Sequence, residues 1–157
     1  MVKIRIAEEK DASNLAPRLR EEDKLEIRSI FTESEKSTEE VLLDSIRSSI
    51  PCLSVEENGN VIMVFGASDY GDKDCGLVWL LGSDRIKELW IPFLRQSHYW
   101  SDALFNISKK RLLFNRVCSK NDLHIRWIKW LGFTFVQKLD NYGHLGLSFY
   151  EFCKLKG

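Results

Sequence analysis

Few side chains in this chain are grouped in a way that chemistry requires. His98, His124 and His144 stand far apart, and no HxxH or HExxH run is present, so a metal centre is not expected. Cys52, Cys75, Cys118 and Cys153 form no CxxC pair and lie near no histidine at zinc-finger spacing. They read as four reduced, semi-buried thiols. There is no GxSxG elbow for a hydrolase serine, and neither GxxxxGK[ST] nor GxGxxG for a phosphate. What remains is charge. Arg20, Asp23 and Glu26 recur at three-residue spacing, which on a helix makes a ladder. On an open surface such a ladder stabilises by only about 0.2–0.5 kcal/mol per pair.

The charge is also unevenly spread. Residues 1–60 hold 14 acidic and 9 basic side chains, whereas residues 85–138 hold 3 acidic and 11 basic ones. The second segment either attracts a polyanion or an acidic protein, or is a solvated face balanced in space by the acidic half. Trp127 and Trp130, three residues apart, belong to one helix turn in the run NDLHIRWIKWLGFTFV, with at least one packed in the core.

The elements that must position these groups follow from periodicity. Lys3–Ile6 alternates as a strand, and Asp11 reads as the N-cap of a helical stripe through Leu15, Leu19, Leu25, Ile27 and Ile30, reset at Pro17. A second helix opens at Thr38 and is ended by Pro51. Three strands follow: Cys52–Glu56, Val61–Ala67 after the Asn58-Gly59 turn, and Gly76–Leu81, apolar on both faces like a central strand. Then come a helical region from about Arg85 to Ser108 with its main helix from Pro92, and a strand Arg111–Val117. A helix Asp122–Leu131 follows, capped by Asn121 and stopped by Gly132, and then two closing strands, Phe133–Leu139 and Leu145–Cys153. Strands and helices mix without strict alternation, so the expected class is α+β, a mixed sheet with helices on its faces in a single domain over residues 1–157.

With 157 residues, 44% of them hydrophobic and 29% charged, the chain has the size and balance of one globular domain. No apolar run approaches the ~20 residues of a membrane helix. The N-terminal MVKIRIAEEKDAS lacks a signal-peptide core, so a cytoplasmic location, its own or a host cell's, is expected.

Asn121 lies eleven residues before the Gly132-Phe133 pair, with Trp127-Ile128-Lys129-Trp130-Leu131 between them. This resembles the C-terminal motif of the GNAT (GCN5-related N-acetyltransferase) superfamily, and the element order matches over nearly the whole chain. Five further stretches carry a narrower resemblance: Leu19–Ile27, Val78–Ser83, Phe93–Ser97, Asn115–Val117 and Ile125–Trp127. They are similar to small GNAT-like proteins of short-tailed bacteriophages, described as internal virion or virion-morphogenesis proteins. The resemblance implies a host-cytoplasmic or virion-associated protein whose partners are a protein acceptor or other virion proteins. Nucleic acid is the lesser alternative.

The resemblance also implies a site. Two strands would diverge after Trp79-Leu80-Leu81, and Leu80, Leu81, Gly82 and Ser83, with Asn121, would border the arm of acetyl-CoA. The family's Q/R-x-x-G-x-G/A phosphate loop is replaced here by GSDRIKELWIP, which keeps only Gly82 and leaves Arg85 and Lys87 to supply charge. The tyrosine that many members place four residues before the Gly-Phe glycine is Ile128 here. Glu26 and Asp23, on the helix that borders the acceptor side in the family, are the candidate bases, and Ser119 the candidate acid. Three functions stay open: an acyl-CoA-dependent N-acyltransferase, a non-catalytic virion assembly factor on the same scaffold, and, as the least of them, a nucleic-acid-binding module using the basic 85–138 segment with exposed Trp and Tyr side chains. A groove plugged by Trp79, Trp90 or Trp127 would favour the second.

Overall fold

The computed structural model describes residues 2–157, apart from the Trp90 side chain. Seven strands form one sheet in the order β1-β2-β3-β4-β5-β7-β6. They are β1 Val2–Ile6, β2 Ser49–Glu57, β3 Asn60–Asp69, β4 Cys75–Gly82, β5 Leu112–Cys118, β6 Thr134–Tyr142 and β7 Leu147–Leu155. Every neighbouring pair is antiparallel except β4–β5, which is parallel. Five α-helices cover the sheet: α1 Lys10–Leu15, α2 Glu21–Ile30, α3 Thr38–Arg47, α4 Trp90–Ser108 and α5 Asp122–Trp130.

The alternation of β4 divides the core in two. Val78 and Leu80 face one way and pack with Leu104 and Phe105 of α4, Trp127 and Ile128 of α5, and Leu131 just after it. Leu81 faces the other way, with Leu15 of α1, Ile27 of α2 and Leu42 and Ile46 of α3. Covering both faces buries Cys52, Leu53, Ser54 and Val55 in succession, so β2 is buried on both sides over this stretch. All four cysteines are free, and burial pushes the Cys52 thiol up to about 12.

Three local expectations change. Asp11 is no N-cap but sits inside the first turn of α1, 1% exposed. It accepts two bonds from Arg5 at 2.8 and 2.9 Å, one from the Glu8 N–H at 2.8 Å and one from the Ser54 hydroxyl at 2.7 Å, tying β1, α1 and β2 together. The second helix ends at Arg47, before Pro51 is reached. The Ser48 and Ser49 hydroxyls bond back to the Ser45 carbonyl at 3.3 and 2.6 Å, so Ser49, Ile50 and Pro51 join β2 instead. Finally, Pro17 does more than bend one helix. It sits in a 3₁₀ turn, Ala16–Arg18, after which Leu19 and Arg20 are extended before α2 begins. Gly132 does end α5, at φ 85°.

The turn after β6 docks on the end of α2, where the His144 N–H donates to the Ser29 carbonyl at 2.8 Å. Gly143, at φ 72°, lies so close that a Cβ there would overlap the Ser29 carbonyl oxygen. Gly143→Ala is therefore expected to destabilise the fold by about 2–4 kcal/mol, read as a lower midpoint in urea unfolding with unchanged slope.

Candidate active site

Strands β4 and β5 pair only over Cys75–Leu112, Gly76–Leu113 and Leu77–Phe114. Beyond that they separate, and Asn115 spans the start of the gap by donating its Nδ2 to the Val78 carbonyl at 2.8 Å. A cavity of 190 Å³ fills the wedge, lined among others by Glu26, Leu80, Asn115, His124, Trp127 and Ile128.

Divergence leaves main-chain groups without a ladder, and each needs another partner. The Ser83 N–H donates to the Ile62 carbonyl on β3 at 2.9 Å. By antiparallel alternation, Leu81 also turns its groups to β3, whereas Leu80 and Gly82 turn theirs into the wedge. Gly82 is fully used. Its carbonyl accepts from the Arg20 N–H at 2.9 Å, within a bridge between Leu19 and Ser83, and its N–H donates to Asp23 Oδ2 at 3.0 Å. Across the gap, the Cys118 N–H of β5 donates to Glu26 Oε1 at 2.8 Å. Two carboxylates one turn apart on α2 thus cap the two diverging strands.

Asn121 joins them. Its Nδ2 donates to Asp23 Oδ1 at 3.3 Å and to Glu26 Oε1 at 3.1 Å, while its Oδ1 accepts from Arg20 Nη2 at 3.2 Å. Asn121 occupies the N-cap position of α5 but makes no side-chain cap bond, because its amide is spent on this buried cluster. Arg20 and Asp23 are 1% and 0% exposed, so the expected surface ladder is an interior network. The helix face bearing it is turned inward because Leu19 and Arg20 are stitched to the end of β4.

Burial, reinforced by the Asp23 charge, pushes the Glu26 carboxyl up to about 8 against the opposing Cys118, Asn121 and Arg20 contacts. Glu26 is therefore mostly protonated at neutral pH. His124, 6% exposed on the first turn of α5, has its pKa lowered by burial although Asp23 pulls it up. Its Nε2 lies 3.7 Å from Asp23 Oδ1, beyond hydrogen-bond reach, and has no partner. Asp23, Glu26 and His124 bring three ligand-type atoms within 4.8 Å of one another, which the sequence distance between them concealed. The Asn121 amide donates into the space between the carboxylates, and the Arg20 guanidinium stands 3.5 Å from Asp23. Both are donors that disfavour a cation there, so the cluster is not read as a metal centre.

The residues expected from the sequence divide sharply. Glu26, Leu80 and Leu81 line the wedge; Asp23 and Asn121 stand behind its wall. The main chain of Leu81 belongs to the β3 ladder, whereas the Leu80 N–H and C=O face the wedge beyond the stretch that pairs β4 with β5. Ser119, in the turn after β5, is tied by its N–H to the Ser148 carbonyl at 2.9 Å and lies outside the cavity lining, so it is not placed to act as an acid. Ser83 is 5% exposed, and its hydroxyl also bonds the Ile62 carbonyl, at 3.2 Å.

The two cations expected to meet phosphate are already engaged. Arg85 bonds Glu57 at 2.7 and 2.9 Å and also Glu88, while Lys87 lies 3.5 Å from Asp84. A four-residue 3₁₀ turn, Asp84–Lys87, replaces a glycine-rich helix start. A Cβ on Gly82 would overlap Ile86, so this glycine serves side-chain packing rather than a ligand. Among the described residues this corner does not fit a pyrophosphate. Trp79 and Trp127 line the wedge without filling it; the Trp90 side chain lies outside the described residues. Trp79 is held aside by its Nε1, which donates to Ser49 Oγ at 2.8 Å. The buried Trp127 Nε1, like His124 Nε2, is unpartnered.

No protein-family model matches the sequence, and no curated protein does either. Solved structures do match, over essentially the full length of both chains. A putative acetyltransferase from Salmonella typhimurium, solved with its cofactor acetyl-CoA, superposes at a TM-score of 0.75 with 16% identity, covering 99% of this chain and 94% of that one. The spermidine N-acetyltransferase of Vibrio cholerae, in complex with CoA and spermine, gives 0.70 and 14%, with coverages of 99% and 95%. An acetyltransferase of the GNAT family from Streptococcus pneumoniae gives 0.65 and 21%, with 100% of each chain. The chain carries the GNAT acetyltransferase fold.

Glu26 also has a thermodynamic signature. Its folded-state pKa of about 8 lies above the ordinary value of 4.5, so the folded protein holds this proton more tightly. The resulting stabilisation is complete below about pH 4.5 and is lost as pH rises through about 8. Unfolding free energies measured from pH 6 to 9 should fall for the wild type on this account, and Glu26→Gln should flatten that decline.

Proposed function

We propose that this chain is an N-acyltransferase that draws a thioester arm into the wedge between β4 and β5 and passes its acyl group to an amine. One observation carries the reading: unmatched polar groups converge on one cavity. The Leu80 N–H and C=O face it beyond the stretch where β4 and β5 pair, and the buried Trp127 Nε1 on its wall has no partner among the described residues. Such groups cost about 1–3 kcal/mol each when buried unpaired, and a guest with amide and thioester groups would satisfy them.

Within this reading, Leu80 holds the amide-bearing arm, and the Leu19–Arg20 segment limits how far along β4 it reaches. Glu26 is the proton-moving carboxyl. Held protonated at neutral pH, it donates to the departing thiolate, the task for which Ile128 has no proton. Asp23 is not the base, because Gly82, Asn121 and Arg20 occupy its oxygens. The donor's phosphates add little, since Arg85 is already paired. The acceptor we infer is a protein amine, and the narrower likeness to phage proteins makes a virion or host protein the first choice.

A second reading has an observation of its own. Leu19 and Arg20 sit on the free edge of β4, and the phosphate corner is neutralised, as suits a non-catalytic virion assembly factor built on this fold. Thermal shift separates the two. Acetyl-CoA and acetyl-pantetheine at about ten times Kd should each add roughly 1.4 kcal/mol, and to a similar degree at equal concentration. No shift with either thioester at millimolar concentration sinks the enzyme and leaves the assembly reading. In the active protein, Glu26→Gln should lower kcat by about 10²-fold or more and remove the loss of rate above pH 8.

A further inference from the structure

Two groups of this cluster leave a buried nitrogen without a partner among the described residues, Arg20 Nε and His124 Nε2, and of the two residues only His124 lines the wedge. A buried imidazole nitrogen normally has a partner, and Nε2 has none while facing a carboxylate 3.7 Å away. His124 lines the same cavity as Glu26, and both residues offer an atom within 4.8 Å of the other and of Asp23. It also stands one helical turn before Ile128, so the two share a face of α5.

Resting on the acyltransfer reading, we propose that His124 is the base of the reaction, taking the proton of the attacking amine on Nδ1 while Asp23, facing Nε2, stabilises the imidazolium that forms. The carboxylate 3.7 Å away favours the tautomer protonated at Nε2, which leaves the lone pair on Nδ1. The amine nitrogen attacks the thioester carbonyl; a C–N bond forms and the C–S bond breaks. The proton lost by nitrogen goes to His124 Nδ1, and the Glu26 carboxyl proton goes to sulfur. The imidazolium then returns a proton to the Glu26 carboxylate, directly or through water, and the pair is restored. No oxidant or further reactant enters.

The charges around His124 suit this role. Burial and Arg20 disfavour the imidazolium, while Asp23 and Glu22 favour it, and the balance keeps the ring neutral at neutral pH. Glu26, the other titratable neighbour, is held protonated under the same conditions. One cavity wall therefore offers a proton acceptor and a proton donor at the same pH, with the imidazole as acceptor and the carboxyl as donor.

The test uses the full chain with His124→Gln and Asp23→Asn. In the unliganded protein, imidazole NMR should show His124 neutral at pH 7 and titrating below the ordinary histidine range, with a midpoint that falls further in Asp23→Asn. A protonated ring at pH 7, or a midpoint indifferent to Asp23, overturns the proposal. With acetyl-CoA and a mixture of spermine and a lysine peptide as probe amines, thiol release by His124→Gln should drop about 10²–10³-fold in kcat, and the acid limb of the wild-type pH profile should disappear. The thermal shift with acetyl-CoA should be unchanged. A variant that keeps kcat within threefold, or loses the thermal shift together with activity, overturns His124 as base while leaving acyl transfer standing. A wild-type chain with neither thiol release nor thermal shift overturns acyl transfer itself, and this proposal with it.

Discussion

The structure depends on how two strands can part inside a sheet without leaving their main chain unpaired. Helix α2 supplies the answer with two side chains. Asp23 takes the Gly82 N–H on β4, and Glu26 takes the Cys118 N–H on β5. The Asn121 amide links the two carboxylates, and Arg20 balances their charge. A gap in a sheet would ordinarily close or fill with water, because each buried unmatched amide is costly. Here the gap stays open because its outer end is stapled by a helix from the opposite end of the sequence. The same staple sets the chemistry of the wedge. It places one carboxyl on the cavity wall next to a second carboxylate, and that proximity, added to burial, keeps the first one protonated.

The cluster has the character of a buried ionic network, weak as a source of net stability and strong as a source of specificity. Replacing it with apolar residues would let α2 slide along β4, since Leu19 and Ser83 alone would hold the register. The long-range bonds of Arg20, Asp23 and Glu26 to Asn121 fix α2 and α5 relative to both strands. Positioning His124 follows from this, because it lies on the first turn that Asn121 begins.

The fold was legible wherever periodicity was strong. The apolar run Gly76–Leu81 gave a central strand, Asn58-Gly59 a hairpin, and Gly132 a helix stop, because each depends on local backbone chemistry alone. The site was legible only in part. Three-residue spacing puts Arg20, Asp23 and Glu26 on one face but does not say whether that face meets water or core; the Leu19–Ser83 bridge decides it. Asn121 was placed correctly as the residue before a helix, yet its side chain works 98 residues away, on Asp23. His124 was missed as a site residue, since the carboxylates near it lie on α2. The available signal was helical: counting back one turn from Ile128 arrives at the only histidine on that helix. The loss of the glycine loop was visible in the sequence, but not that Glu57, on the far side of the β2–β3 hairpin, would claim the arginine meant to compensate for it.

That last pairing governs how the protein meets its guests. Arg85 carries carboxylates from two directions, so the corner beyond β4 projects little field into solvent. Proteins that recruit polyanions through exposed cations do so quickly in dilute buffer and slowly in salt. This corner has no such lever. An encounter steered through this corner alone would therefore differ little between fresh water and brine.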